Sequence, residues 1–233
     1  GPLLFVADNA INKIFQIAIL QHSMQNDTLI VDSTAVQAVA GNGMKGSTQD
    51  GKTALTYSFA QFGKITYDAA TNSLYAVNSF HNTITRITNL PNPGVLFTND
   101  PPIGITTVAG KENYYYNGDG KIALETNSIR KPGIGAFDKK RNRYYIPLGS
   151  VIRFVDLNTN IVYTLAGYFA SGYSGNGGFA ANAQLAQCEH LYIDDDCKFL
   201  YLSDTKYHSI RRIDLDSNVI ELLVGKLTQG GYR

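Results

Sequence analysis

The chain has 233 residues, 44% of them hydrophobic and 17% charged, with a formal net charge of +1. That length carries one large domain or two small ones, and the composition is globular rather than disordered. The near-balanced charge argues against a partner held mainly by electrostatics, whether nucleic acid or an anionic membrane, and no apolar run approaches the roughly 18 residues of a membrane-spanning helix.

A first strand is predicted over 4–8, followed across a polar turn by a second over 13–17. No basic segment precedes residues 3–7, so no signal peptide is expected there. A long insertion then carries Asn26-Asp27-Thr28, a glycosylation sequon, which makes Asn26 a candidate sugar site in a secreted protein. A third strand over 34–41 ends in Ala38-Val39-Ala40-Gly41. The same ending returns as Thr107-Val108-Ala109-Gly110, Thr164-Leu165-Ala166-Gly167 and Leu222-Leu223-Val224-Gly225, at spacings of 69, 57 and 58 residues. A repeat of this period dictates architecture before any single residue is interpreted.

Each later copy closes a set of four predicted strands, a to d. Strand a ends in an apolar run closed by Asp, at 65–68, 135–138 and 191–194. The polar turns that follow, 69–72, 139–142 and 195–198, read as tight hairpins, because Asn and Asp accept positive φ or bond their own backbone. Strand b falls at 74–78, 144–148 and 200–204, and strand c at 83–87, 151–155 and 209–213. Aromatic and β-branched residues dominate both. Pro147 inside a strand b removes a ladder donor and predicts a local bulge. The N-terminal set holds b, c and d without an a.

The expected fold is therefore all-β: a β-propeller of four-stranded antiparallel blades, three full and one lacking its first strand. Apolar residues at both i and i+3 of strand c fit a sheet covered on both faces by neighbours. One domain or fragment is expected over 1–233, with a partial blade at 3–41, blades at 64–110, 134–167 and 189–225, and Gly-rich linkers between them.

These residues resemble the NHL repeat family. The likeness rests on Leu200-Tyr201-Leu202-Ser203-Asp204 with Ile210-Arg211-Arg212-Ile213, on the Val-Ala-Gly strand ends, and on the loops Gln49-Asp50-Gly51-Lys52, Asn117-Gly118-Asp119-Gly120 and Ser174-Gly175-Asn176-Gly177-Gly178. Each loop leads into a small-residue segment ending in a large apolar residue, over 54–59, 123–129 and 180–185. The pattern is similar to the linker of long NHL repeats in teneurins and other secreted or surface proteins, without that linker's proline. The resemblance implies a ring of six blades, more than this chain supplies. Three completions stand open: a fragment of a longer propeller, a small four-bladed ring, or an arc completed by another subunit. It also implies a non-catalytic protein-interaction or structural assembly module, extracellular or on the cell surface, with protein partners, possible homo-assembly, no cofactor, no nucleic acid and no membrane insertion. Two alternatives come from other propellers: a lyase or lactonase with a metal in the central channel, and an RNA-binding domain.

Residues that could carry chemistry read mostly as scaffold. His81 and His208 fall in equivalent b–c hairpins, and with His22 and His190 they form no recognisable metal constellation. Asp194-Asp195-Asp196 reads as a solvated turn, since three adjacent carboxylates cannot all face one ion. The 139–143 run is the one basic cluster, too local for a nucleic-acid face. Arg86, Arg153, Arg211 and Arg212 recur in strand c and are expected to pair with Asn78 or Asp204 at the end of strand b, or with backbone carbonyls. The linker aromatics Tyr114, Tyr115, Tyr116, Tyr168, Phe169 and Tyr173 are the candidate interface residues, because loops on a rigid scaffold commonly carry recognition. Cys188 opens a predicted strand and Cys197 lies in the next turn. Six extended residues span roughly 20 Å and a disulfide needs Cα atoms within about 7 Å. Free thiols are therefore expected, unless Cys188 lies outside the strand and the chain folds back.

Overall fold

A computed structural model describes residues 3–25, 28–46, 53–59, 62–78, 80–92, 102–110, 118–125, 129–168 and 170–225. Among them every regular element is a β-strand or a single turn of 3-10 helix, and no helix is long and apolar enough to cross a membrane. The chain divides into two compact units, 1–107 and 108–233.

The first unit holds two antiparallel sheets. The first sheet is β1 (Leu3–Asp8), β2 (Lys13–Gln25) and β3 (Thr28–Ala40), in that order. The second is β4 (Phe62–Asp68), β5 (Ser73–Asn78), β6 (Thr83–Thr88) and β7 (Gly104–Ala109), also in chain order. The insertion in the first sheet is itself strand. β2 and β3 run 13 residues each and pair from Ile14↔Ala40 out to Gln25↔Thr28. Asn26 lies outside the described residues. Between the two sheets Ile14, Val39, Leu74, Ala76 and Ile87 form a core, with Phe5, Ala7 and Ile65 packed against it. Each large aliphatic side chain so buried contributes about 1.5–3 kcal/mol.

The second unit repeats the plan. Its first sheet holds β8 (Lys121–Ile122), β9 (Ala136–Asp138), β10 (Arg143–Pro147), β11 (Ile152–Asp156) and β12 (Ile161–Ala166), ordered β8-β12-β11-β10-β9. Its second holds β13 (Gly178–Phe179), β14 (Cys188–Ile193), β15 (Phe199–Asp204), β16 (Ser209–Asp214) and β17 (Val219–Val224), ordered β13-β17-β16-β15-β14. The four expected strands are present in each. The short fifth strands, β8 and β13, come from the linkers and add to the outer edge of strand d, which the sequence reading did not anticipate. The inner edges of the two sheets meet through a parallel bridge, Ile134↔His190, with Ile134 N–H donating to Glu189 C=O at 2.7 Å. Tyr145, Ile152 and Phe154 pack with Leu191, Leu200, Leu202 and Ile213 between them.

The turns follow from the Asp that ends strand a. Asp68 Oδ1 accepts from Ala70 N–H (2.9 Å), and Asp138 Oδ1 from Lys140 and Arg141 N–H (2.9 and 3.0 Å). Asp194 Oδ1 accepts from Lys198 and Phe199 N–H (2.8 and 2.9 Å). The turns end on Asn72, Asn142 and Cys197, with φ of +46°, +52° and +54°. Asp194 is thus occupied by its own turn, and Asp195 and Asp196 are exposed.

Pro147 does not make a bulge. It ends β10 opposite Ile152 with no register shift, while pairing of β10 with β9 stops at Tyr145↔Ala136. A proline without N–H is tolerated at the last strand residue, where its carbonyl still accepts from Gly133 N–H at 2.9 Å. The bulge of this sheet lies one ladder over, between Ile152 and Arg153, and recurs between Ile14 and Phe15 and between Ile210 and Arg211.

Cys188 and Cys197 are both unpaired and buried, with Cys188 inside β14. Burial pushes the Cys188 thiol well above the ordinary thiol range, so the reactive thiolate is disfavoured. A thiol reagent at neutral pH is expected to leave both cysteines unlabelled in the native protein and to label both after denaturation. Rapid labelling of Cys188 in the folded state would contradict this burial.

Candidate functional site

The recurring glycines share one geometry. Gly41, Gly167 and Gly225 have φ of +92°, +79° and +110°, and a Cβ on them would lie 2.1, 2.2 and 2.3 Å from the carbonyl oxygens of Asn12, Ser150 and His208. Those oxygens belong to the b–c turn of the same sheet. Glycine is required twice over, by left-handed backbone and by close approach.

Beyond Gly41, Gly110 and Gly167 the linker reaches a fully buried alanine that makes two backbone bonds. Ala54 C=O accepts from Gly41 N–H and its N–H donates to Ile103 C=O, both at 2.9 Å. Ala180 C=O accepts from Gly167 N–H (3.0 Å) and its N–H donates to Asn218 C=O (2.8 Å). Each pair ties the end of one sheet's strand d to the start of the next sheet's strand d. Ala123 makes the corresponding bonds to Gly110 (2.9 Å) and Asn160 (2.7 Å). The large apolar residues that follow, Phe59, Ile129 and Leu185, are buried.

The strand-c arginines hold the linkers. Arg211 is fully buried; its two terminal nitrogens donate to Gln184 and Ser174 C=O, both at 2.8 Å, and the guanidinium lies 4.9 Å from the Tyr173 ring centroid. Burial lowers its pKa. Arg153, at the same repeat position and equally buried, donates to Gly118 C=O (2.7 Å) and to Asp119 Oδ1 (2.8 Å). Thr85 takes this position in the second sheet and donates to Ala76 C=O at 3.3 Å. The expected pairing of arginine with Asn78 or Asp204 is not what forms. Asp204 accepts from Ala186 and Gln187 N–H (3.0 and 3.2 Å), and Asn78 Oδ1 from His81 N–H (3.4 Å). Linker amides hold Asp204 and a b–c turn amide holds Asn78, and Arg153 and Arg211 reach linker carbonyls instead. Arg212 is a surface residue paired with Glu221 at 3.0 Å, and Arg86 donates to Ser73 Oγ at 3.1 Å.

His81 is scaffold as well, its Nε2 lying 3.1 Å from Gly46 C=O in a linker. His208 occupies the left-handed position of its turn, with φ of +49°. Among the described residues no group of three or more His, Cys, Asp or Glu converges as a metal site. The basic turn is largely paired: Arg141 donates to Asp138 at 2.9 Å, to Cys197 C=O at 2.8 Å and to Asp216, while Arg143 meets Asp156 at 3.3 Å.

Tyr75 and Tyr145, at equivalent positions of strand b, are fully or almost fully buried, and burial pushes both pKa values up to about 12. Raised folded values mean that stability is intact below pH 10 and declines as pH rises from 10 towards 12, where the unfolded chain ionises and the folded one does not. Denaturant titrations across that window are expected to show the loss, and phenylalanine at both positions should reduce it.

Of the candidate interface residues, Tyr168 is 45% exposed. Tyr173 is half-buried beneath Arg211, 5.4 Å from the Tyr207 ring, and its hydroxyl accepts from Asn176 Nδ2 at 3.2 Å. Tyr114, Tyr115, Tyr116 and Phe169 lie outside the described residues. The structure adds exposed aromatics that the sequence reading passed over: Phe80, 66% exposed in a b–c turn, and Phe179, 63% exposed in β13. Their signal was a large apolar residue inside a polar turn or a Gly-rich linker.

The chain is similar in structure to a nidogen/laminin complex, with a TM-score of 0.56 and 13% identity over 96% of this chain and 61% of that one. It is also similar to an auxiliary nutrient binding protein from Bacteroides thetaiotaomicron (TM-score 0.57, 15% identity, 94% of this chain and 45% of that one). The fold is a β-propeller. A second Bacteroides thetaiotaomicron structure, of unknown function, matches with a TM-score of 0.59 at 14% identity over 90% of this chain and 44% of that one. The chain thus spans less than two thirds of the length of each. No family model and no curated protein matches the chain.

Proposed function

We propose that this propeller is a non-catalytic protein-interaction or structural assembly module of NHL type, within a larger extracellular or cell-surface protein. Its blades run over 3–41, 64–110, 134–167 and 189–225, the first without a strand a. The observation that carries this reading is a division of roles. Polar groups near the linkers are turned inward onto backbone, as in Arg211, Arg153, Asp204 and His81. Large apolar side chains stand in solvent, as in Phe80, Phe179 and Tyr168. Such a surface suits protein contacts better than chemistry on a small substrate. The matched structures include a protein complex and a nutrient-binding protein, and the Asn26 sequon fits an exported chain. Pairing of Arg141 and Arg143 with carboxylates supports the absence of a nucleic-acid partner.

The test compares the native chain, immobilised, with a Phe80→Ser/Tyr168→Ser variant for retention of extracellular proteins from the source organism. The binding reading expects a defined protein retained by the first and lost by the second. A stoichiometric metal ion in the purified protein, together with lactone or peptide-lyase turnover, would overturn it in favour of an enzyme.

A further inference from the structure

Three segments of the first unit meet just beyond Gly41: the turn over 9–12 between β1 and β2, the linker over 42–46, and the turn over 80–82 before β6. A Cβ on Gly43 would lie 3.6 Å from both the Ile11 carbonyl oxygen and Lys13 Cε, so the linker rests on the first turn. His81 Nε2 lies 3.1 Å from Gly46 C=O, so the far end of the linker rests on the second. Asn42 fixes the shape between these points. Its Oδ1 accepts from Met44 N–H at 2.9 Å, its Nδ2 donates to Ser58 Oγ at 2.8 Å, and its N–H donates to Tyr57 C=O at 3.0 Å. What the three segments turn outward is apolar. Ile11, Met44 and Phe80, one from each, are 46%, 65% and 66% exposed, and the Phe80 ring packs on His81 with centroids 5.1 Å apart. Two cations flank them: Lys13, its stem against Gly43, and Lys45, exposed beside Met44. Among the described residues neither lysine forms an ion pair. Asp8, at the head of the first turn, has its Oδ1 held by the N–H groups of Ala10 and Ile11 (2.8 and 3.4 Å). The patch is built from turns and linker at the strand ends, not from a blade face of the kind that a neighbouring blade covers.

We infer that this patch docks an extended acidic segment of a partner protein. One large apolar side chain of the segment seats among Ile11, Met44 and Phe80, and carboxylates beside it meet Lys13 and Lys45. An apolar centre with charge at the rim is the usual division of a protein interface, and the flexible thioether of Met44 adapts to the side chain it receives. A linker already fixed by Asn42 and His81 loses little freedom on binding. The lysines select the occupant: a basic segment is repelled, and a neutral one leaves both charges unmet. This inference rests on the protein-interaction reading above and names the chemistry of the partner.

The test selects a display library of random peptides on the immobilised native chain and measures the affinity of the enriched peptides in solution. Enriched sequences are expected to set Asp or Glu beside a large apolar residue, and their binding should weaken as salt is raised. Phe80→Ser should weaken it about thirtyfold, the size of a central contact. Lys13→Glu/Lys45→Glu should weaken it at least about tenfold, and that variant should prefer the same peptide with its acidic residues changed to Lys. Circular dichroism checks folding, and Lys45→Glu alone repeats the comparison if the double variant unfolds. No enrichment, enriched peptides without acidic residues, or affinity indifferent to the lysine changes would overturn the inference. So would a longer native polypeptide that fails to bind the same peptide, because its own residues then hold the patch. An extracellular protein retained by the native chain, lost with Phe80→Ser/Tyr168→Ser and unchanged in the lysine variant, would leave the interaction reading standing and overturn this one.

Discussion

Gly167→Ala is expected to lower unfolding free energy by about 3 kcal/mol or more, whereas Gly177→Ala should cost only about 1–2 kcal/mol. The two glycines share nearly the same backbone, φ +79° and +80°. Both substitutions therefore force an L side chain into left-handed conformation. They differ in space. A Cβ at Gly177 meets nothing within 4 Å, while one at Gly167 lies 2.2 Å from Ser150 O and 3.2 Å from Leu185 Cδ1. The oxygen is backbone and belongs to the b–c turn, so it cannot rotate away. Relief requires moving the end of β12, and with it the bond from Gly167 N–H to Ala180 C=O. Urea unfolding at constant m-value reads the difference. Equal losses at the two sites would show that backbone strain alone explains the recurring glycine.

Arg211→Met should cost about 2–4 kcal/mol, against less than about 1 kcal/mol for Arg212→Met. The side chains are adjacent in sequence and opposite in environment. Arg211 is fully buried and bonds two linker carbonyls, Gln184 and Ser174. Methionine fills much of the volume but removes two part-buried bonds from a charged donor, a kind of bond that contributes about 1.5–3 kcal/mol and less where water can reach the carbonyl. Arg212 and its partner Glu221 are 34% and 50% exposed, so water replaces that pair at little cost. Hydrogen exchange over 172–187 should rise in the first variant and stay unchanged in the second. If Arg211→Met is neutral, the buried arginine is not what fastens the linker.

Much of the fold was legible because its determinants are local. Asp68, Asp138 and Asp194 cap turns through bonds to residues within five positions, and the glycine closing each strand d marks positive φ. The partners of Arg211 were less legible. Asp204 is the obvious countercharge by residue type, but linker amides of Ala186 and Gln187 hold it. A backbone carbonyl such as that of Ser174 carries no side-chain signature, so the sequence named carbonyls only as one alternative. β8 and β13 were missed because two residues are too few for periodicity to register.

The repeated strand endings determined, without any structure, that four sheets recur and where each one closes, because alternation and left-handed glycine are properties of neighbouring residues. Which faces are covered was decided by tertiary packing alone. Leu4 and Leu200 are the same residue at the same place in strand b, yet one is 56% exposed and the other 0%. Burial is set by what lies across the face, and nothing in the residues flanking Leu4 or Leu200 records it.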